Sequence, residues 1–255
     1  IGKFILLTVA VALLVYLILV QQAISRALVL SFNGALHTQT APVLVYATDA
    51  LRSPQGSVLP PPLQALVEEE PTVAQSARIG IVSVTLPEAA LADGELTVTL
   101  WGAEDAELGG VTAVDDGRAA ESDGEAVGTA GDFELGETVT VTAPDGGGSL
   151  DLEIVGLVRG AQVTVLPVLY TSYADFEQAV AINNPAAPMV LPNLIAVVPA
   201  ADAAEAAAGL DGDQLTDADT SAMIASLREA SSDLDPITRD RAANDFPGVA
   251  PVESS

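Results

Sequence analysis

The stretch "GDFELGETVTVTAPDGGGSLDLEIVGLV", residues 131–158, decides the fold class more clearly than any other part of the sequence. Val alternates with Thr in "ETVTVTAP", and apolar residues alternate in "LDLEIVGLV", as expected of half-buried strands. The "DGGG" between them provides the backbone freedom that a tight turn needs. The stretch therefore predicts a β-hairpin, and no residue in it is one that we would assign to catalysis.

Segments on both sides of this hairpin mix strands with helices. "APVLVYA", "SARIGIVSVTL", "GELTVTLWGA" and "NLIAVVPA" are typical of strands, and "AQVTVLPVLYTS" extends the sheet, with Pro167 indicating an edge or a bulge. "LQALVEEEPTVAQ" follows three prolines and is predicted to be a helix that ends at Pro71, and "SYADFEQAVAI" and "TDADTSAMIASLREASSDL" are predicted to be further helices. This order predicts an α+β domain in two lobes, an outer mixed α/β lobe and an inserted strand-rich lobe.

Two stretches give no strand pattern. The acidic, Gly-rich run "EDAELGGVTAVDDGRAAESDGEAVGTAGD" has no sustained period and is predicted to be a solvated loop. The final stretch "DPITRDRAANDFPGVAPVESS" contains a short helix-like piece before Pro247.

The composition excludes several classes of function. There are 35 Asp and Glu residues against 9 Lys and Arg, a formal net charge of −26, which repels nucleic acid and also anionic lipid unless a hydrophobic anchor is present. The absence of cysteine excludes disulfides, thiolate metal sites and cysteine nucleophiles. With Lys3 as the only lysine, the acidity fits a high-salt habitat or the coding bias of an actinobacterium-like genome, and neither identifies a ligand.

The run "FILLTVAVALLVYLILV", residues 4–20, contains no charge, Pro or Gly. As a helix it would measure about 26 Å, close to the hydrocarbon thickness of a bilayer. We predict an uncleaved transmembrane helix that continues as a stalk to Gly34, because a cleaved signal peptide would have a shorter apolar run and a small-residue cleavage site. Lys3 precedes the helix, so the positive-inside rule places residues from about 35 onward outside the cytoplasm.

The residues that carry chemistry are few. No phosphate-binding loop pattern is present, and His37, the only histidine, lies just after the stalk and is expected to be an exposed polar residue. The cluster Asp211, Asp213, Asp217 and Asp219 does not have calcium-loop spacing and is expected to form a solvated turn and a helix cap. Trp101 is expected in the core or at a lobe interface. We therefore predict no catalytic, cofactor-binding or metal-binding residue.

The order of the segments resembles the extracytoplasmic domain of FtsX-like/MacB-like permeases of ABC transporters. The resemblance rests on the membrane helix with its stalk, followed by "EEEPTVAQSARIG", the strand "ELGETVTVTA", the strand "LEIVGLV" and the aromatic-containing "VLYTSYADFEQAV". It covers nearly the whole chain. The long acidic insertion after "DGR" departs from the family pattern. The polar segment that usually follows is only weakly represented, in "GEAVGTAGDF".

The resemblance implies a membrane permease with a large external domain inserted between its first and second membrane helices. Residues 1–40 would be the membrane helix and stalk, residues 41–235 the external domain, and residues 236–255 the return toward the next helix. A separate cytoplasmic ABC ATPase subunit would hydrolyse ATP, and a second permease copy and the lipid bilayer would be further partners. The chain would lie in the cell membrane, mostly extracytoplasmic, and would not itself be an enzyme.

Two functions of other classes share some of these features. A single-pass anchored surface binding or adhesion protein would have the same anchor and acidic domain. An anchored hydrolase that uses a carboxylate pair would draw on the many acidic residues.

Overall fold

The alternating segments of the sequence form strands that join in one large sheet. The computed structural model describes residues 11–21, 35–36, 38–51, 53–87, 95–111, 113–142, 148–163, 166–186, 189–200, 217–239 and 241. The strands are β1 (Val43–Ala47), β2 (Val73–Pro87), β3 (Glu95–Ala103), β4 (Asp116–Gly117), β5 (Glu125–Thr129), β6 (Thr138–Thr142), β7 (Ser149–Val158), β8 (Gln162–Val163), β9 (Leu166–Ser172), β10 (Leu194–Pro199) and β11 (Leu234–Thr238). The helices are α1 (Pro61–Glu68), α2 (Tyr173–Asn183), α3 (Asp217–Ala230) and the short 3-10 helix Thr48–Ala50.

The order of strands across the sheet is β11-β1-β10-β2-β3-β9-β5-β7-β4, with β6 also paired to β7 and β8 to β9. The pairs β3–β9 and β5–β7 are parallel, and the remaining pairs are antiparallel. The predicted hairpin is confirmed as β6–β7, with its turn at residues 143–147 outside the described residues. The strands unite in one sheet, and the division into two lobes stays a prediction.

Helices α1 and α2 begin where the sequence predicts. Pro61 and Pro62 occupy the first turn of α1, where a missing N–H costs nothing. The side chain of Ser172 caps α2 by accepting a hydrogen bond from the Asp175 N–H at 3.1 Å. Both helices therefore start on residues that hold the first turn in place.

Helix α2 packs against β2 and β3 at a pair of glycines. Gly80 and Gly102 are direct partners across the two strands. A Cβ at Gly80 would collide with the ring of Phe176, and a Cβ at Gly102 would collide with the Phe176 Cβ and lie 2.8 Å from the Ser172 carbonyl oxygen. Because neither glycine has a side chain, the ring of Phe176 lies directly on the sheet and is 2% exposed.

The two faces of the sheet are covered by different elements. Leu100 belongs to the cluster that includes Phe176, while its neighbour Trp101 belongs to a second cluster with Tyr46 and Tyr170. Adjacent residues of a strand point to opposite faces, so α2 covers one face of β3 and the Trp101 cluster covers the other. A third cluster joins β1 and β10 to α1 and α3, with Met223 fully buried.

The prediction that the acidic run is a solvated loop is wrong for its last part. Residues 125–129 form β5, which lies inside the sheet between β9 and β7, with Ala126 and Val127 buried. The sequence "EAVGT" is too short and too rich in small residues for an alternating pattern. Gly128 allows the ring of Phe133 to pack against the strand, since a Cβ there would lie 2.8 Å from a ring carbon.

Pro167 has a strand partner on one side only, in line with the expected edge, although the rest of its strand lies inside the sheet. β9 lies in the interior of the sheet, between β3 and β5. The ladder with β3 begins only at Val168, and Pro167 itself pairs with Gln162 of the two-residue strand β8. The missing N–H of the proline therefore falls outside the β3–β9 ladder.

The beginning of the final stretch is a strand where none was expected. β11 is an edge strand that pairs with β1 from Val43↔Thr238 to Ala47↔Leu234. The boundary expected at residue 235 therefore falls inside this strand. Pro236 interrupts the alternation in the sequence but is tolerated at a sheet edge.

The amino-terminal part of the chain is described only at residues 11–21, which are helical. The predicted span also includes residues 4–10, which lie outside the described residues. Within the described residues, no helix combines the length and apolar character needed to cross a membrane.

The glycine pair predicts a large effect of a single added methyl group. We expect Gly80→Ala to destabilise the domain by about 3 kcal/mol, because overpacking forces the buried Phe176 ring or the strand to shift. Thermal or urea unfolding measures this change.

Gly148→Ala is the matched control, since its Cβ would lie 3.4 Å from the side chain of Ile182, an ordinary contact. It should change stability by less than about 0.5 kcal/mol. Equal effects of the two substitutions would contradict the proposed helix–sheet contact.

Candidate functional site

The chain enters and leaves the sheet at one place. Val43 at the start of β1 is paired with Thr238 at the end of β11. Just beyond this pair, the N–H of Arg239 donates to the carbonyl oxygen of Pro42 at 2.9 Å. A displacement applied to either connecting segment therefore acts on two neighbouring, hydrogen-bonded strands.

A cleft of about 280 Å³ opens near the carboxyl ends of β3 and β9. Its walls come from β3 and β9, from the connection that precedes β5 and from the loop after β3. Residues that line it include Glu104, Glu121, Asp123, Tyr170, Thr171 and Ser172. The other lining residues are mostly Ala, Gly and Val, so the hydroxyl and carboxylate groups lie among small apolar residues.

The buried carboxylate of Asp175 holds one wall of this cleft in place. Asp175 lies in the first turn of α2 and is 3% exposed. Its Oδ2 and Oδ1 accept from the N–H of Gly124 at 3.0 and 3.1 Å, and the hydroxyl of Thr171 lies 2.5 Å from Oδ2. The Thr171 hydroxyl is also 2.9 Å from the carbonyl oxygen of Glu125. These contacts tie the connection before β5 to α2 and to β9.

On the exposed side of the connection before β5, an ion pair links its two ends, Arg118 and Glu125. Arg118 binds the carboxylate of Glu125 with both terminal nitrogens, at 2.5 and 2.7 Å, and the N–H of Glu121 donates to the same carboxylate at 3.0 Å. The hydrogen bond from Arg118, followed by that from the Glu121 backbone, lowers the pKa of Glu125 to about 2. The loop from residue 118 to residue 125 is therefore fastened at both ends.

A second ion pair lies at the opposite wall. Arg78 of β2 binds Glu104 through Nη2–Oε1 at 2.8 Å and Nε–Oε2 at 3.1 Å. The hydrogen bond from Arg78 lowers the pKa of Glu104. The Arg78 guanidinium carbon also lies 4.6 Å from the centre of the Tyr173 ring, a cation–π distance, and burial raises the pKa of Tyr173 to about 12.

These polar groups have structural partners in the fold. Ser172 caps α2, Thr171 binds Asp175, and the lowered pKa of Glu104 disfavours the protonated form that a general acid needs. Among the described residues, no group of three His, Cys, Asp or Glu side chains could hold a metal ion. The polar contacts around the cleft therefore hold α2, β9 and the connection before β5 in fixed positions relative to one another.

Of the residues singled out in the sequence, those that the structure describes lie in two different elements, Trp101 in β3 and Asp217 and Asp219 in α3. Trp101 is fully buried and its Nε1 donates to the carbonyl oxygen of Gly109 at 2.9 Å, which confirms the expected core position. Asp217 is the first residue of α3 and Asp219 lies in its first turn, so the helix start falls where it was expected, but Asp219 is 2% exposed and is not solvated. His37, Asp211 and Asp213 lie outside the described residues.

Sequence reasoning missed Asp175 and the Arg118–Glu125 pair. The "SYAD" that opens α2 carries a local signal for a capped helix start, but nothing in the sequence shows that Gly124 reaches it from 51 positions away. Arg118 and Glu125 are only 7 positions apart, yet they lie in an acidic run whose pattern predicts a solvated loop.

Comparison with known proteins gives structural neighbours and no sequence relatives. No protein-family model matches the chain, and no curated protein matches it. The periplasmic region of MacB from Actinobacillus actinomycetemcomitans is similar with a TM-score of 0.48 and 13% identity, over 84% of this chain and 95% of that one. The extracellular domain of the ABC-type transporter YknZ from Gram-positive bacteria is similar with a TM-score of 0.43 and 12% identity, over 77% and 99%. The first neighbour is thus a periplasmic region, and the second is an extracellular domain of an ABC-type transporter.

The ion pair of Glu125 predicts a pH dependence of stability. Its pKa falls from 4.5 to about 2 on folding, so the pair stabilises the domain above pH 4.5, and this contribution is lost as the pH falls through about 2. We expect the melting temperature of the wild type to fall more steeply across this window than that of Glu125→Gln, as followed by circular dichroism.

Glu134→Gln, at an exposed position between β5 and β6, is the control and should keep the wild-type slope. If the Glu125→Gln and wild-type curves run parallel between pH 4.5 and about 2, the ion pair does not stabilise the folded state as argued.

Proposed function

We propose that this chain is the first membrane helix and the external domain of an ABC transporter permease. The domain would be inserted between two membrane helices, and a separate ATPase subunit in the cytoplasm would supply the energy. The domain would act mechanically, without chemistry of its own, on an exported substrate or on a partner outside the membrane.

The observation that carries this proposal is the meeting of the entry and exit strands at Val43 and Thr238. A domain inserted between two adjacent membrane helices must receive the chain and return it at nearby points. The hydrogen bond between Arg239 and Pro42 continues this pairing past the strands. A terminal adhesion domain on a single anchor has no such requirement.

The character of residues 11–21 supports a membrane anchor. The large apolar side chains between Val11 and Leu19 are 47–65% exposed, and Val20 is half-buried. A helix that is apolar on all sides needs a non-aqueous environment. The uncharged run at residues 4–20 supplies the length for a bilayer, so we assign the helix to the membrane and the following domain to the outside.

The proposed mechanism uses the continuity of the sheet. A shift of the membrane helices would act on β1 and β11 together, and β10 and β2 would carry it to the centre of the sheet. α2 and the Asp175 contacts would carry it to the connection before β5. Transport coupling requires two discrete arrangements of such a body, selected by the state of the ATPase.

Cysteine labelling tests the proposed topology cleanly because the natural chain has no cysteine. We expect Glu107→Cys, at an exposed position, to react with a membrane-impermeant maleimide on intact cells. Gly2→Cys should react only after the membrane is permeabilised, since it precedes the predicted span. Labelling is read as a mass shift of the purified chain.

Purification of the product of the complete gene tests the partner. The proposal expects a cytoplasmic ABC ATPase to co-purify in fixed proportion. Labelling of Glu107→Cys from outside without a co-purifying ATPase would favour the single-pass adhesion protein. Labelling of Glu107→Cys only after permeabilisation would contradict both.

A further inference from the structure

An open groove of about 480 Å³ lies at the end of β1 that is farther from the Pro42–Arg239 contact. The 3-10 helix, the segment that leads into α1 and the turn before β11 form its walls. It is lined by Ala47, Asp49, Val58, Pro60, Leu63 and Asp233. We call it the distal groove.

Apolar side chains are exposed in and beside the distal groove. Val58 is 49% exposed, and Leu66, one helical turn after Leu63 in α1, is 38% exposed. Leu51, two positions after Asp49, is 78% exposed and has a φ of 49°, in the left-handed region that favours glycine. The left-handed conformation of Leu51 ends the 3-10 helix, where its N–H donates to the carbonyl oxygen of Thr48 at 3.4 Å, and the leucine side chain is left in solvent.

The walls of the distal groove are fixed by hydrogen bonds. The N–H of Ala47 donates to the Ser57 hydroxyl at 2.9 Å, and the side-chain amide of Asn193 donates to the Ser57 carbonyl oxygen at 2.9 Å. The N–H of Thr48 donates to the carbonyl oxygen of Asp233 at 2.9 Å. The groove is therefore formed before any ligand binds, which lowers the entropic cost of docking.

The charges of the distal groove define its occupant. Two of its lining residues, Asp49 and Asp233, are exposed carboxylates, and none of the lining residues is basic. We propose that the groove docks an apolar segment of a partner protein that carries Lys or Arg on both sides of its apolar residues. This inference rests on the proposed function only in placing that partner outside the membrane.

Charge argues against the two other candidates. A second copy of this chain would bring a net charge of −26 to a surface that already carries two aspartates. Residues 201–216, "ADAAEAAAGLDGDQLT", contain acidic residues and no Lys or Arg. Attraction to Asp49 and Asp233 therefore favours a basic partner over a second copy of the chain and over residues 201–216.

A pair of peptides tests the proposal. Each has a central run of Leu and Val; one carries two Lys at both ends and the other two Glu. Binding to the full chain in zwitterionic lipid nanodiscs is followed by fluorescence anisotropy of labelled peptides. We expect the Lys-flanked peptide to bind at least about tenfold more tightly than the Glu-flanked peptide.

Substitutions then place the binding in the groove. Asp49→Lys combined with Asp233→Lys should reverse the preference between the two peptides. Val58→Asn, which adds no charge, should weaken binding of the Lys-flanked peptide about tenfold because a polar group replaces the apolar contact. The control, Asp116→Lys with Glu134→Lys, makes the same change in total charge at exposed positions elsewhere and should keep the wild-type preference.

Four results would overturn the proposal. The first is that neither peptide binds. The second is that the control variant reverses the preference as fully as the groove variant, which shows attraction by net charge alone. The third is a concentration-dependent dimer that the uncharged substitution Val58→Asn dissolves, which assigns the groove to a second copy. The fourth is peptide binding that appears only when residues 201–216 are deleted, which assigns the groove to the chain itself.

The peptide test and the labelling test examine the docking surface and the permease topology independently of each other. Binding in the groove of a chain whose Glu107→Cys is not labelled from outside would remove the proposed permease while keeping the docking surface. Correct labelling with no peptide binding would keep the permease topology and remove the docking surface.

Discussion

The contact of Phe176 with the Gly80–Gly102 pair is the constraint on which the rest of this structure depends. The two glycines face each other across β2 and β3, and their missing side chains leave the space that the ring fills. α2 can then lie against the centre of the sheet. The first turn of α2 is thereby held in place. There the Asp175 carboxylate accepts a hydrogen bond from the N–H of Gly124, and Tyr173 lies beside Arg78. One close approach thus sets the position of a helix and of the polar contacts on both walls of the cleft.

The same sheet connects the cleft to the segments that enter and leave the domain. β1 and β11 form one side of it, β10 joins them to β2, and β2 carries Gly80. Every step along this path is a ladder of backbone hydrogen bonds, which resists stretching across the sheet better than side-chain contacts would. A domain that conveys displacement from a membrane to a distal surface needs this kind of path, and we place the distal groove at the far end of β1.

Sequence patterns predict the parts of this fold in which local signals and tertiary environment agree. The Val–Thr alternation of β6, the Pro61 start of α1 and the Ser172 cap of α2 are all local signals, and the elements form as expected. β5 and β11 were missed because short strands of small residues or with a proline acquire their form from neighbours distant in the chain. The Asp175 contact with Gly124 could not be predicted, because it depends on a packing arrangement of α2 that only the two glycines permit.

Hydrogen exchange tests the central claim, that the entry and exit strands are one mechanical unit with the centre of the sheet. Amides of β1 and β11 that bond each other should exchange as slowly as those between β2 and β3, and all four strands should lose protection together as denaturant is added. Measurement on the full chain by mass spectrometry resolves these strands. Separate opening of β1 and β11, well before β2 and β3, would contradict the account, because a displacement of the segments that enter and leave the domain would then be lost before it reached the centre of the sheet.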